Sequence, residues 1–273
     1  MTDFPTYRPL SATIWSPTEK ATAAHRDVAC EIPVSIEYNC AAYAVMMVTP
    51  DNLEDFVYGF SLTEGIIDGA GDIIGLDIHE VEKGIVAAVE IREGCFKRLE
   101  NFKRQMAGRT GCGLCGADRL EHVIRPLPPV PEGAPFKAAV IHGSMQGLRG
   151  HQPLNRTTGA VHAAAFCDRE GDILAVREDV GRHNALDKII GRLMREKLDP
   201  AAGYVLVSSR CSFEMVQKCA AARLPLIAAV SAPTELAIEL ARQTGVSLAA
   251  LVRDDNMSLY MDSCARIDTG HGD

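Results

Sequence analysis

The sequence predicts a mixed α/β protein, α+β overall: a small N-terminal α+β domain, then an α/β domain with parallel strands. Three observations point there. Paired apolar runs separated by turn residues fill the first third of the chain. From Lys137 onward, short apolar runs alternate with segments of helical periodicity. Between the two lies Pro126-Leu-Pro-Pro-Val-Pro-Glu-Gly-Ala-Pro135, a breaker-rich connection. The resulting division is a flexible tail over 1–26, the first domain over 27–110, a connection over 111–136, and the α/β domain over 137–268.

In the first domain, the apolar runs Glu31 to Tyr38 and Ala42 to Val48 flank Asn39-Cys40-Ala41 and read as a hairpin. Thr49-Pro50-Asp51 supplies an N-cap, an N1 proline and a first-turn acid. Leu53, Phe56, Val57 and Phe60 then repeat at helical spacing, and Gly65 stands where the helix would stop. A second hairpin, Ile73 to His79 and Ile85 to Ile91, turns at Glu82-Lys83-Gly84. Met1 to Arg26, rich in Thr, Ser and Pro, reads as a loose tail without the apolar core of a secretory signal.

The second domain opens on a strand pair, Ala163 to Cys167 and Ile173 to Val176. A helix follows from Asn184 to Lys197, with Leu186, Ile189, Ile190 and Leu193 on one face. Next come a strand Tyr204 to Val207, a helix Ser212 to Arg223, and a strand Leu226 to Val230. A helix Thr234 to Thr244 and a strand Leu248 to Val252 complete the pattern.

A hydrophobic share of 47% with 23% charged residues is that of a globular protein. The formal charge of -8 argues against a nucleic-acid partner, because phosphate backbones call for a surplus of Lys and Arg. No stretch approaches the length of a membrane span. Nine cysteines scattered through apolar segments are the pattern of reduced thiols, so a cytoplasmic location is expected.

The sharpest local feature is Arg109-Thr-Gly-Cys-Gly-Leu-Cys-Gly-Ala-Asp118. Glycines at 111, 113 and 116 give the backbone access to positive φ. Cys112 and Cys115 are close enough to share a proton or exchange a sulfur, and Arg104, Arg109 and Arg119 favour the nucleophilic thiolate. A zinc half-site and a thioredoxin-type pair are the rivals. Zinc would need a second ligand pair, which the spacing does not provide.

Arg177-Glu-Asp-Val-Gly-Arg-His-Asn184 runs into a helix, where Gly181 permits a tight turn and Arg182 and His183 add donors for an anion. A capped surface helix, with Asp179 as a dipole partner, is the plainer reading. Ser208-Ser-Arg-Cys-Ser-Phe213, which contains Arg210, and Ser231-Ala-Pro-Thr234 both join a strand end to a helix, the edge where α/β sheets bind ligands. Zinc nucleobase deaminases use H-x-E followed by P-C-x-x-C. Here His162 is followed by Ala163-Ala164, and Arg210-Cys211 stands in place of a cysteine pair.

Leu62-Thr-Glu-Gly-Ile-Ile67, Gly111-Cys-Gly-Leu-Cys-Gly116, Thr158-Gly-Ala-Val-His-Ala-Ala-Ala165, Glu178 to Lys188, Ser212 to Lys218 and Val230-Ser-Ala-Pro-Thr234 together resemble the formate dehydrogenase accessory sulfurtransferase family, FdhD. The resemblance implies a sulfur carrier that is loaded by a cysteine desulfurase. It would bind molybdenum bis(molybdopterin guanine dinucleotide) and install the sulfur that the formate dehydrogenase catalytic subunit needs. It also implies a cytidine-deaminase-like second domain lacking zinc, and a homodimer. The persulfide carrier maps onto Cys112, and the second loop cysteine onto Cys115. The family's cofactor-contacting stretch maps onto Leu251, Val252, Arg253, Asp254, Asp255 and Asn256, which keeps an arginine but brings two acids. Gly181, Arg182, His183, Ser208, Arg210 and Ser231 complete the expected cofactor seat, with no metal ligand among them.

Overall fold

The computed structural model describes residues 4–106, 125, 127–253 and 255–270. The expectation of a tail over 1–26 is corrected: Tyr7–Ile14 (β1) pairs antiparallel with Thr22–Ala29 (β2). Thr, Ile and Tyr suit extended backbone. The small Ser and Ala residues between them blur the alternation by which such a strand is normally read.

The two expected hairpins of the first lobe form one sheet. Ile32–Tyr38 (β3) pairs antiparallel with Ala41–Val48 (β4), and Ile73–Val81 (β5) with Gly84–Ile91 (β6). The hairpins join through a parallel β3–β6 pairing, giving the order β4-β3-β6-β5. Helix α1, Leu53–Thr63, covers the sheet with Phe56, Val57 and Phe60. Helix α2, Glu93–Met106, adds Cys95 and Leu99. Asn52 rather than Thr49 occupies the cap of α1, and it makes no side-chain capping bond.

In the second lobe, Phe136–Lys137 (β7) leads into helix α3, Ala138–Leu148, and the short helix α4, Pro153–Thr158. His162–Cys167 (β8), Ile173–Asp179 (β9), helix α5 (Arg182–Glu196) and Tyr204–Val207 (β10) follow. Helix α6 (Phe213–Ala221), Leu226–Ala229 (β11), helix α7 (Glu235–Thr244), Ser247–Arg253 (β12) and Asn256–Met261 (β13) complete the layers. The strand order is β13-β12-β11-β10-β8-β9, with parallel pairing between β10, β11 and β12. Period-2 side chains sort onto two faces. Phe166, Val205, Val207, Ile227 and Leu248 meet α5, α6 and α7. Tyr204, Leu206, Ala228 and Val252 meet Ile141, Met145 and Leu148 of α3.

Ile267–Asp268 (β14) returns to pair with β7. Arg266, 1% exposed, donates from Nη1 to the carbonyls of Pro225 (2.9 Å) and Gly245 (2.6 Å) and from Nη2 to that of Pro131 (3.0 Å). One guanidinium thereby satisfies carbonyls from the proline-rich connection and from two turns of the sheet.

The lobes meet where α1 crosses α5. Gly59 and Gly191 lie at the crossing: a Cβ built on Gly59 would stand 1.8 Å from the Asp187 carbonyl, and one on Gly191 1.8 Å from that of Asp55. Around it, Arg177 donates to the buried Asp55 carboxylate at 2.8 and 2.6 Å, and Arg195 at 2.5 Å. Lys218 donates to both oxygens of buried Asp187 (2.9 and 2.8 Å), which also accepts from Thr63 at 2.7 Å.

Candidate functional site

Five strand ends lie side by side at one edge of the second sheet, in the order β12, β11, β10, β8, β9. β10, β11, β12 and β9 finish there, and antiparallel β8 begins there. The pairing carries onto this edge the turn at Gly181, His162 at the start of β8, the Ser208–Arg210 junction, Ser231, and Leu251 in β12. The carboxyl ends of parallel strands are where such sheets hold ligands, since helix N-termini face the same way.

The junctions are bonded to one another. Ser208 N donates to the Ala163 carbonyl (3.0 Å), and Ala163 N returns a bond to Ser208 Oγ (2.8 Å). Cys211 N donates to Ala232 O (3.3 Å), Thr234 N to Cys211 O (3.0 Å), and Leu251 N to Ser231 O (3.4 Å). Leu251 holds a φ of 55°, where the β12–β13 register shifts. Non-glycine residues rarely adopt that conformation, and they concentrate at bulges and binding sites.

Three helices start at the edge, and their caps differ. Thr234 caps α7 by accepting from Ala237 N, so the Ser231 to Thr234 junction serves as a capping turn. Neither α5 nor α6 has a side-chain cap. Among the described residues, no N-cap side chain takes up their first-turn amides, which suits an anion.

Arg182 and His183 stand at the start of α5, both half-buried. Arg182 Nε is enclosed and has no hydrogen-bond partner among the described residues. His183 Nε2 lies 3.0 Å from Glu214, but off the line of a formed hydrogen bond. The imidazole beside Glu214 is the main reason its carboxyl sits below the ordinary range. His162 is pushed below the usual histidine value, first by burial and then by Arg182 and His183. Arg210 is exposed at the rim.

The 251–256 segment divides. The Val252 side chain is 1% exposed and belongs to the core under α3, so it offers the site only backbone. Arg253, Asp255 and Asn256 are exposed at the β12–β13 turn. Cys112, Cys115 and Asp254 lie outside the described residues. The chain rejoins them at Arg125, whose N–H donates to Gln217 of α6 at 3.0 Å. Among the described residues, one group brings three metal-ligand atoms together: Asp68, Asp72 and Cys95, in the first lobe, where Arg98 already pairs with Asp68 at 2.8 Å.

Glu214 escaped the sequence reading of the site, although it sits in the first turn of the helix that follows Arg210. Asp179 was legible only as a dipole partner for the helix. In the fold its side chain is fully buried and bound to Thr49 of the other lobe.

The family model for the FdhD/NarQ family matches residues 29–267. The chain belongs to that family. Similar proteins of the family include the sulfur carrier protein FdhD of Bordetella petrii, 53% identical over 234 residues, 85% of this chain and 84% of the relative. That of Variovorax paradoxus is 49% identical over 233 residues, again 85% and 84% of the two chains. The crystal structure of a formate dehydrogenase accessory protein from Desulfotalea psychrophila shares the fold, with a TM-score of 0.73. It is 24% identical, and the match covers 96% of this chain and 100% of that one. The family's match takes in both lobes and the whole sheet edge, and it begins as β2 ends.

Proposed function

We propose that this chain carries sulfur as a persulfide on Cys112 and delivers it to a guanylated molybdenum cofactor seated at the sheet edge, in the service of formate dehydrogenase. One observation carries the seat: the uncapped start of α5, with Arg182, His183 and His162 gathered around it. Such a set suits a phosphate, and the cofactor is a substrate that presents pyrophosphates. The names of the relatives support the sulfur-carrying part, and the Cys112–Cys115 pair supplies the chemistry.

The transfer balances with those two thiols. The Cys112 thiolate attacks the outer sulfur of the desulfurase persulfide, and the desulfurase cysteine leaves as thiolate. At the cofactor, Cys115 attacks the inner sulfur of the Cys112 persulfide. A disulfide forms, and the outer sulfur departs as sulfide to molybdenum. The two thiols supply the two electrons. A cytidine-deaminase-like second domain without zinc belongs to this reading. Ala164 stands where a deaminase needs its general-acid Glu, and Arg210 where it needs a cysteine.

The test is mass spectrometry after incubation with a cysteine desulfurase and cysteine. Wild type and Cys115→Ala gain one sulfur atom, and Cys112→Ala does not. Loading of Cys112→Ala but not of Cys115→Ala would reverse the two roles. Loading of both variants would remove the loop as carrier, and would leave a cofactor-binding chaperone that moves no sulfur.

A further inference from the structure

The turn that presents Arg182 and His183 is held from the other lobe. Asp179, at the end of β9, is fully buried; its Oδ1 accepts two hydrogen bonds, and its Oδ2 accepts one and pairs with an ammonium. Oδ1 takes Gly181 N (2.9 Å) and Asn184 Nδ2 (2.9 Å). Oδ2 takes Thr49 N (3.0 Å) and Lys188 Nζ (2.7 Å). Thr49, also fully buried, uses three atoms on this one turn. Beyond its N–H, its Oγ1 accepts from Val180 N (3.1 Å) and its carbonyl from Lys188 Nζ (3.0 Å). The Met47 carbonyl takes the second proton of the Asn184 amide at 2.8 Å.

The Val180 and Gly181 amides and the Asn184 side-chain amide are all paired, and Val180 N bonds to a hydroxyl from the first lobe. A buried amide that loses its only acceptor moves to find another. Here the movement would displace Gly181, the residue on which α5 starts. We infer that Thr49 is a positioning residue for anion binding at α5: it touches no ligand, but fixes the turn that aims Arg182 and His183. This rests on the proposed seat at the sheet edge. By contrast, the ion pairs of Arg195, in the last turn of α5, with Glu54 and Asp55 of α1 lie away from this turn. Those contacts hold the lobes together without defining where α5 begins.

GDP is the probe, with affinity measured by calorimetry on the full chain. Thr49→Val keeps the shape and removes the acceptor, and should weaken GDP by roughly tenfold or more. Thr49→Ser restores the hydroxyl and should return the affinity to within about twofold of wild type. Arg195→Ala, which loosens the same lobe interface elsewhere, should leave GDP binding close to wild type. Hydrogen exchange on the wild type gives an arm that does not depend on a variant folding: GDP should slow exchange at the Thr49 and Val180 amides. Equal weakening by Arg195→Ala, no rescue by serine, or unchanged exchange at those amides would each overturn the inference while leaving the seat intact. Failure of the wild type to bind GDP would overturn both.

Discussion

The His183 ring stands 3.0 Å from the Glu214 carboxylate, and this contact joins the first turn of α5 to the first turn of α6. Both helices start uncapped at the same sheet edge, so a carboxylate shares the space with two amide-rich helix ends. Negative charge is favoured there by the helix dipoles as well as by the ring. Glu214 thus marks, with a charge of the protein's own, where an anion would be welcome.

Its titration has a definite sign. Glu214 is held below the ordinary carboxylate range, chiefly by His183, so its contribution to stability is present above that range and is lost as pH falls through the lowered value. Glu214→Gln should be less stable than wild type near neutral pH. The gap should narrow as pH falls through the lowered value and close once the carboxylate is protonated in both states. Thermal unfolding across that range measures it, and a gap that persists in acid would show that the charge is not the cause.

His162 should stay neutral at physiological pH. Its pKa lies below the usual value because burial, and then the neighbouring Arg182 and His183, oppose the charged form. The folded state therefore binds fewer protons than the unfolded chain just below the ordinary histidine value, and this residue costs stability as pH falls through that window. A bound anion reverses the balance. GDP binding near pH 6.5 should take up protons, visible as a dependence of binding enthalpy on buffer ionisation heat, and His162→Gln should reduce the uptake.

The α1–α5 crossing tolerates no side chain. Gly59→Ala and Gly191→Ala place a Cβ within 1.8 Å of a facing carbonyl, and each should destabilise by about 3 kcal/mol or more. Gly143 of α3 is the control, since its Cβ would meet nothing within 4 Å. Gly143→Ala should be neutral or stabilising by up to ~1 kcal/mol, because alanine loses less backbone freedom in a helix. Denaturant midpoints separate the three.

Lys218 and Asp187 form a buried pair between α5 and α6 that also engages Thr63 of α1. Burial raises Asp187 above the ordinary carboxylate value even with the ammonium beside it. Lys218→Met leaves the acid without its cation and should cost about 3–5 kcal/mol. Adding Asp187→Leu should recover much of that loss. If the double variant is no better than the single one, shape rather than charge governs the site.

The second lobe was largely legible because its strands and helices each bury a full face, and burial writes the period into the sequence. The strand at Tyr204 to Val207 matches to the residue, and the helix expected from Thr234 to Thr244 runs from Glu235 with Thr234 as its cap. Helix α3 was not legible: Ala138-Ala-Val-Ile-His-Gly-Ser-Met-Gln-Gly-Leu148 contains small residues and two glycines, and only Ile141, Met145 and Leu148 mark its buried stripe. Thr49 shows a different limit. A hydroxyl before Pro50 is the local signature of a cap, but its partner Asp179 lies 130 residues away. The parallel β3–β6 pairing is likewise non-local, and a hairpin pattern carries no sign of it. At the site, Gly181, Arg182, Ser208 and Ser231 were legible from strand-to-helix junctions, because topology alone brings such junctions to one edge. Glu214 was not, since its role is set by a ring on another helix.

Arg266 sets a condition on birth order. Its guanidinium satisfies carbonyls at Pro131, Pro225 and Gly245, and β14 next to it is the strand against which β7 lies. While a chain is still emerging from the ribosome, the first lobe and most of the second sheet can be complete before any of these bonds exists. The Pro131 carbonyl then lacks this clasp until Arg266 itself has emerged. Shortening the chain before Arg266 should leave a protein that keeps its secondary structure but is cut by protease between the lobes. Emergence of Arg266, rather than formation of either core, is the event that adds this clasp to the connection.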